Sequence, residues 1–99
     1  MPAYVIGFIE ILQPERYSEY KEMAQRAVSA FGGRYIARGG SVEVLEGQWD
    51  PKRTVIMEFD NMDRARAWWN SEHYREGKAL RQSIARSTLL LVEGVEQKS

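Results

Sequence analysis

The run Gly32-Gly33-Arg34-Tyr35-Ile36-Ala37-Arg38-Gly39-Gly40, continuing through Ser41-Val42-Glu43-Val44-Leu45-Glu46-Gly47, decides the fold. Two Gly-Gly pairs bracket a short apolar and basic strand, Arg34 to Ala37, and an alternating strand, Ser41 to Glu46, follows. Gly39-Gly40 reads either as a bulge in one bent strand or as a tight turn. Gly32-Gly33 ends the segment before it, because glycine takes the left-handed conformation past a helix C-terminus at little cost.

Working outward, Tyr17, Tyr20, Ala24, Ala27, Val28 and Phe31 recur at three- and four-residue steps and mark one face of a helix. Pro14 suits its first turn. Before it, Tyr4 to Leu12 is a short, nearly continuous apolar run that reads as a buried strand. On the other side, Gly47-Gln48-Trp49-Asp50-Pro51 is a turn. Thr54 to Phe59 alternates as a strand, with Val55, Met57 and Phe59 on one face. Asp60 or Asn61 caps a second helix with Met62, Ala65, Trp68 and Trp69 as its stripe. Asn70-Ser71 breaks that helix, and Ser71 restarts it with Tyr74, Gly77, Arg81 and Ile84 on one side. Thr88 to Val95 is the last strand, and residues 96–99 read as a frayed tail.

The order is βαββαβ: one domain over residues 1–99, of α+β class, with helices on one face of a mainly antiparallel sheet. The first and last strands read apolar on both faces. Helices explain one face, and a second copy of the same sheet is the simplest cover for the other, which predicts a homodimer.

Composition narrows the function classes. The 99 residues carry 14 basic and 14 acidic side chains, so the charge footprint of a nucleic-acid or anionic-membrane binder is missing. With no cysteine, disulfides, thiolate nucleophiles and zinc–cysteine sites are excluded. No apolar run reaches the length of a membrane span, and the start has no basic leader, so a soluble cytoplasmic protein is the expectation. The glycine pairs match neither the dinucleotide fingerprint nor the P-loop, there is no nucleophile elbow, and the RNA-recognition signature is absent.

Three blocks carry a resemblance: FGGRYIARGGSVEVLEGQW, VIMEFDNMDRARAWWNSEHY and LLLVEGVE. Together they resemble the small bacterial family called domain of unknown function 1330, over essentially the whole chain. Here His73 replaces a proline common after the serine, and Trp69 stands where tyrosine is frequent. The resemblance implies a ferredoxin-like fold of the dimeric α/β-barrel type and assigns no reaction. Wider relatives of that barrel include cofactor-free monooxygenases, lactone isomerases and haem enzymes, an analogy at the level of fold.

The chemistry-bearing candidates start with Arg38, Glu46, Glu58, Arg81 and Glu93. Glu58 and Glu93 interrupt apolar strands, so they must be paired or wetted. Arg38 is a natural bidentate partner for them. In the functional reading these groups line a polar cleft for a small organic acid, with Glu58 or Glu93 as general base. In the structural reading they form an ion-pair network. Tyr35, Trp68, Trp69 and Tyr74 read as an aromatic wall for a flat ligand or as helix-to-sheet packing. Trp49 is a candidate interface anchor. His73, the single histidine, is no basis for a multi-histidine metal site; it reads as a surface residue, with a general base, or a haem ligand by the barrel analogy, as the functional alternatives.

Two function classes follow. One is an enzyme without metal or organic cofactor, acting on a small carboxylate or aromatic compound. In it Glu58 and Glu93 are catalytic, and Arg38, Tyr35, Glu46, Trp69, Ser71, Tyr74 and Arg81 bind substrate. The other is a non-catalytic ligand-binding or stress-associated homodimer in which the same residues are structural.

Overall fold

A computed structural model describes residues 1–96. In chain order the elements are β1 (Ala3–Ile11), α1 (Pro14–Ala30), β2 (Arg34–Arg38), β3 (Arg53–Phe59), α2 (Met62–Trp69), α3 (Glu72–Ile84) and β4 (Ala85–Glu93). The expected order holds, with the second helix divided into α2 and α3 where Asn70-Ser71 interrupts it. The strands form one four-stranded antiparallel sheet in the order β2-β3-β1-β4. Apart from Glu96, the frayed tail expected over residues 96–99 lies outside the described residues.

The elements begin and end where side chains satisfy free backbone groups. Pro14 opens α1, where its missing N–H is no loss. The Asn61 and Ser71 side chains accept from the backbone N–H groups of Arg64 and Tyr74, capping α2 and α3. Gly32, at φ +73°, turns the chain out of α1. Gly33 is required for a different reason: a Cβ there would stand 2.6 Å from the Phe59 ring. The Leu12 and Gln13 N–H groups both donate to the Ile84 carbonyl, which ties the end of β1 to the end of α3.

The core lies between the helices and one face of the sheet. Val5, Ile9, Val55, Met57 and Phe59 face Tyr17, Tyr20, Val28, Trp68 and Ile84 across it. Trp68 stacks on Tyr74 with ring centroids 4.5 Å apart and tilts against Phe59 at 5.4 Å. The opposite face is open in the single chain. Ile6, Phe8 and Ile56 are half-buried there, while Leu90 and Val92 remain 51% and 45% exposed.

The central segment departs from expectation in two ways. Ser41 to Glu46 forms no strand, and residues 39–51 are exposed throughout. A strand needs a hydrogen-bonded neighbour. The segment leaves β2 through Gly39, at φ +77°, and among the described residues no strand runs beside it. The bulge, meanwhile, is at Ile36 and not at Gly39-Gly40. Tyr35 pairs with Met57 and Ala37 with Ile56, leaving Ile36 as the extra residue.

That bulge has a consequence for function. Side chains alternate along a strand, so residues three apart face opposite ways. The extra residue cancels one alternation. Tyr35 and Arg38, opposite Met57 and Val55, therefore both face the helices.

Candidate functional site

The helix-facing side of β1, β2 and β3 and the facing turns of α1 and α3 enclose a small cleft. Its floor is Gly7, Val55 and Met57, and its walls carry Tyr17, Tyr20, Tyr35, Arg38, Arg53 and Arg81. Helical spacing places two pairs of these. Tyr17 and Tyr20 are three apart on α1. Tyr74 and Arg81 are seven apart on α3, two turns along one face.

Arg81 is the central group. It is only 3% exposed, and its Nε donates to the Tyr74 hydroxyl at 3.3 Å. The Tyr20 and Tyr74 hydroxyls are 2.8 Å apart. The Arg81 Nη2 is buried and has no partner among the described residues, and neither has the Arg53 Nε. Burial and the neighbouring Tyr74 hydroxyl push the Tyr20 phenol well above its ordinary pKa. Burial raises Tyr35 to about 12, against the opposing pull of Arg38. Both phenols are therefore neutral hydrogen-bonding groups at physiological pH.

Arg38 spans the mouth of the cleft. Its guanidinium lies 4.0 Å over the Tyr35 ring and donates to the Gln25 side chain at 2.7 Å and the Lys21 carbonyl at 3.0 Å. Arg53 extends toward Tyr17, 5.2 Å from its ring centre, and covers Gly39 so closely that a Cβ there would collide with the guanidinium.

The charge of the cleft is one-sided. Lys21, Arg38, Arg53 and Arg81 line it, and among the described residues no carboxylate does. None of these four makes an ion pair among the described residues. In a chain with 14 charges of each sign, that is a local imbalance and not a reflection of composition.

The residues singled out from sequence divide between this cleft and other places. Tyr35, Arg38 and Arg81 line it, and Tyr74 supports it through its hydroxyl. Glu58 is on the opposite face of the sheet, where it pairs with Arg34 and accepts from the Tyr4 hydroxyl at 3.3 Å. Arg38 is thus not the partner of Glu58. The bulge sends Arg38 to the helix face and leaves Arg34, directly across from Glu58, on the other. Glu93 is exposed at the end of β4, and Glu46 is in the exposed 39–51 segment. Ser71 is occupied as the α3 cap.

Trp69 is in a separate apolar groove of about 300 Å³ with Trp68, Leu89 and Leu91, and the Lys78 ammonium lies 4.1 Å over its ring. His73 meets the edge of Phe31 at 5.6 Å beside a wide surface depression between α1 and α3. Trp49 packs edge-on against Phe8, 5.5 Å away, on the open sheet face. Among the described residues no group of three or more His, Cys, Asp or Glu is placed to hold a metal, and no helix is long and apolar enough to cross a membrane.

Sequence reasoning missed Tyr17, Tyr20, Lys21 and Arg53. The first two were absorbed into the apolar stripe of α1. The available signal was the hydroxyl: a tyrosine on a buried stripe needs a polar partner inside the protein. Arg81 on the buried stripe of α3 carried the same signal with a charge.

The arrangement shares its fold with solved structures of low sequence identity. A protein of unknown function from Rhodopseudomonas palustris superimposes with a TM-score of 0.76 at 17% identity, covering 97% of this chain and 84% of that one. A dimeric ferredoxin-like protein of unknown function from Thermobifida fusca gives 0.65 at 11%, covering 94% and 91%. SnoaB, a cofactor-independent oxygenase from Streptomyces nogalater, gives 0.62 at 10%, covering 97% and 95%. Among curated proteins none matches. The fold is therefore ferredoxin-like. Residues 2–95 match a single family described as Domain of unknown function (DUF1330), which takes in all seven elements, and the chain belongs to that family.

Proposed function

We propose that this protein is a homodimer whose helix-side cleft binds a small carboxylate or aromatic compound and acts on it without a resident organic cofactor. The observation that carries the reading is the cleft itself: Arg81 buried beside two paired phenols, its Nη2 unpartnered among the described residues, in a wall of tyrosines and arginines to which none of those residues brings a carboxylate. A buried polar group without a partner is destabilising, and functional sites are where such groups are retained. The cofactor-independent oxygenase with the same fold supports catalysis by protein groups alone.

The reading reassigns roles. The Tyr20–Tyr74 pair serves as a neutral hydrogen-bonding group toward the ligand, and Glu58 belongs to the open sheet face with Arg34 and Tyr4. That face supports the dimer. It presents Phe8, Ile56, Leu90, Val92 and Trp49 to solvent in the single chain, and the Thermobifida fusca neighbour is dimeric.

Native mass spectrometry together with a thermal-shift panel of small carboxylates and aromatics tests both halves. The expected result is a dimer stabilised by at least one panel compound. A monomer at micromolar concentration removes the dimer, and a panel without any saturable shift removes the ligand.

A further inference from the structure

Counting hydrogen-bond donors in the cleft narrows the ligand, on the reading that the cleft is a binding site. The Arg81 Nε–H goes to the Tyr74 oxygen. Of the two hydroxyls 2.8 Å apart, one donates to the other. If Tyr74 donates, the Tyr20 proton is left over; if Tyr20 donates, the Tyr74 proton is left over. Either way one phenolic proton has no acceptor among the described residues. The buried Arg81 Nη2 and Arg53 Nε add further donors without partners. Among the described residues no carboxylate lines the cleft to receive any of them.

We infer that the cleft is built for an organic oxyanion, a carboxylate or an enolate-like oxygen, seated oxygen-first against Arg81 and the free phenolic proton. Size supports the orientation. The enclosed space is about 20 Å³, room for the centre of a single oxygen-sized atom. The rest of the ligand then extends toward the mouth, where it displaces Arg38 from its stack on the Tyr35 ring. Among the described residues Arg38 is held there by Gln25, by the Lys21 carbonyl and by stacking on Tyr35, with no carboxylate partner. It is therefore free to exchange those neutral partners for the anion. Charge-assisted hydrogen bonds are about twice as strong as neutral ones, so the exchange favours the bound state. A neutral molecule of the same shape satisfies the donors but leaves the cationic charge uncompensated.

Benzoate and benzamide separate the possibilities because they match in shape and differ in charge. Each is titrated into the intact protein while the arginine Nε–H signals are followed by NMR. The expected result is a saturable shift of the Arg81 Nε–H with benzoate. Benzamide should bind about 10- to 100-fold more weakly, the factor expected when a charge-assisted bond becomes a neutral one. Followed at the Nε–H signals of Arg38 and Arg53, which also line the cleft, Arg81→Met should abolish the benzoate response, while Arg81→Lys, which keeps the charge, should retain part of it. Equal binding of the two compounds overturns the oxyanion inference and leaves the cleft as a neutral aromatic slot. No response to either compound, in the wild type or in Arg38→Ala with its opened mouth, overturns the inference together with the binding-site reading.

Discussion

Replacing Arg81 by methionine should make this protein more stable. Arg81 is 3% exposed, has no ion pair among the described residues, and makes one hydrogen bond through Nε, at 3.3 Å, to Tyr74. Losing a bond of that length costs about 0.5–1 kcal/mol net. Against this, holding a guanidinium out of water without a carboxylate costs several kcal/mol. Methionine keeps most of the apolar stem and fills the space flexibly. The Tyr20–Tyr74 bond survives the change. The balance is a gain of about 1–2 kcal/mol, which for a domain of this size raises the melting temperature by about 5–15 °C. Urea unfolding at fixed protomer concentration measures it, and an unchanged m-value makes the midpoint shift a stability difference. A loss of more than about 1 kcal/mol would show that Arg81 holds the fold together, and the case for a binding role would fail with it.

Other substitutions separate fold from site. Gly33→Ala places a Cβ 2.6 Å from Phe59 and 2.9 Å from Val28, both in the core, so it should destabilise by about 1–3 kcal/mol; an unchanged melting curve would show that β2 can move away. Gly7→Ala is the opposite case. The new methyl meets Leu89 at 3.6 Å, an ordinary contact, in the cleft floor. Stability should hold or rise by up to about 1 kcal/mol while ligand affinity falls, and unaltered affinity would place the ligand elsewhere.

Alkaline titration reads the phenols. Tyr20 and Tyr35 have folded pKa values above the unfolded value of about 10, chiefly because they are buried. Above pH 10 the unfolded chain loses protons that the folded one keeps, so these groups' contribution is complete below pH 10 and declines as pH rises toward 12. Melting temperature should be flat to about pH 9.5 and then fall, with the phenolate absorbance of both residues appearing only on unfolding. Early titration of all five tyrosines in the folded protein would contradict the burial of the cleft.

Much of the fold was legible because each element has a local cause. Pro14, Asn61 and Ser71 mark helix starts through chemistry that acts over three residues, and the stripes of α1 and α3 repeat without interruption. What failed was non-local. Val42, Glu43 and Val44 alternate like a strand, yet pairing depends on a neighbour that the sequence does not specify. The bulge at Ile36 has no marker in Arg34-Tyr35-Ile36-Ala37-Arg38, because it is set by how β2 meets β3. It reversed the face of Arg38, and the Arg38–Glu58 pairing expected from sequence went with it. Arg81 was visible as a charge on a buried stripe. Its relation to Tyr20 was not, since those residues are on different helices and meet only after α1 and α3 pack over the sheet.

The central claim is that the functional groups lie on the helix side of the sheet and not on its open face. Parallel benzoate titrations of Arg81→Met and Glu58→Gln test it most directly, because the two residues stand on opposite sides of the sheet. The account predicts that Arg81→Met loses binding and Glu58→Gln binds like the wild type. Loss of binding in Glu58→Gln, with Arg81→Met unaffected, would contradict it and move the site to the open face.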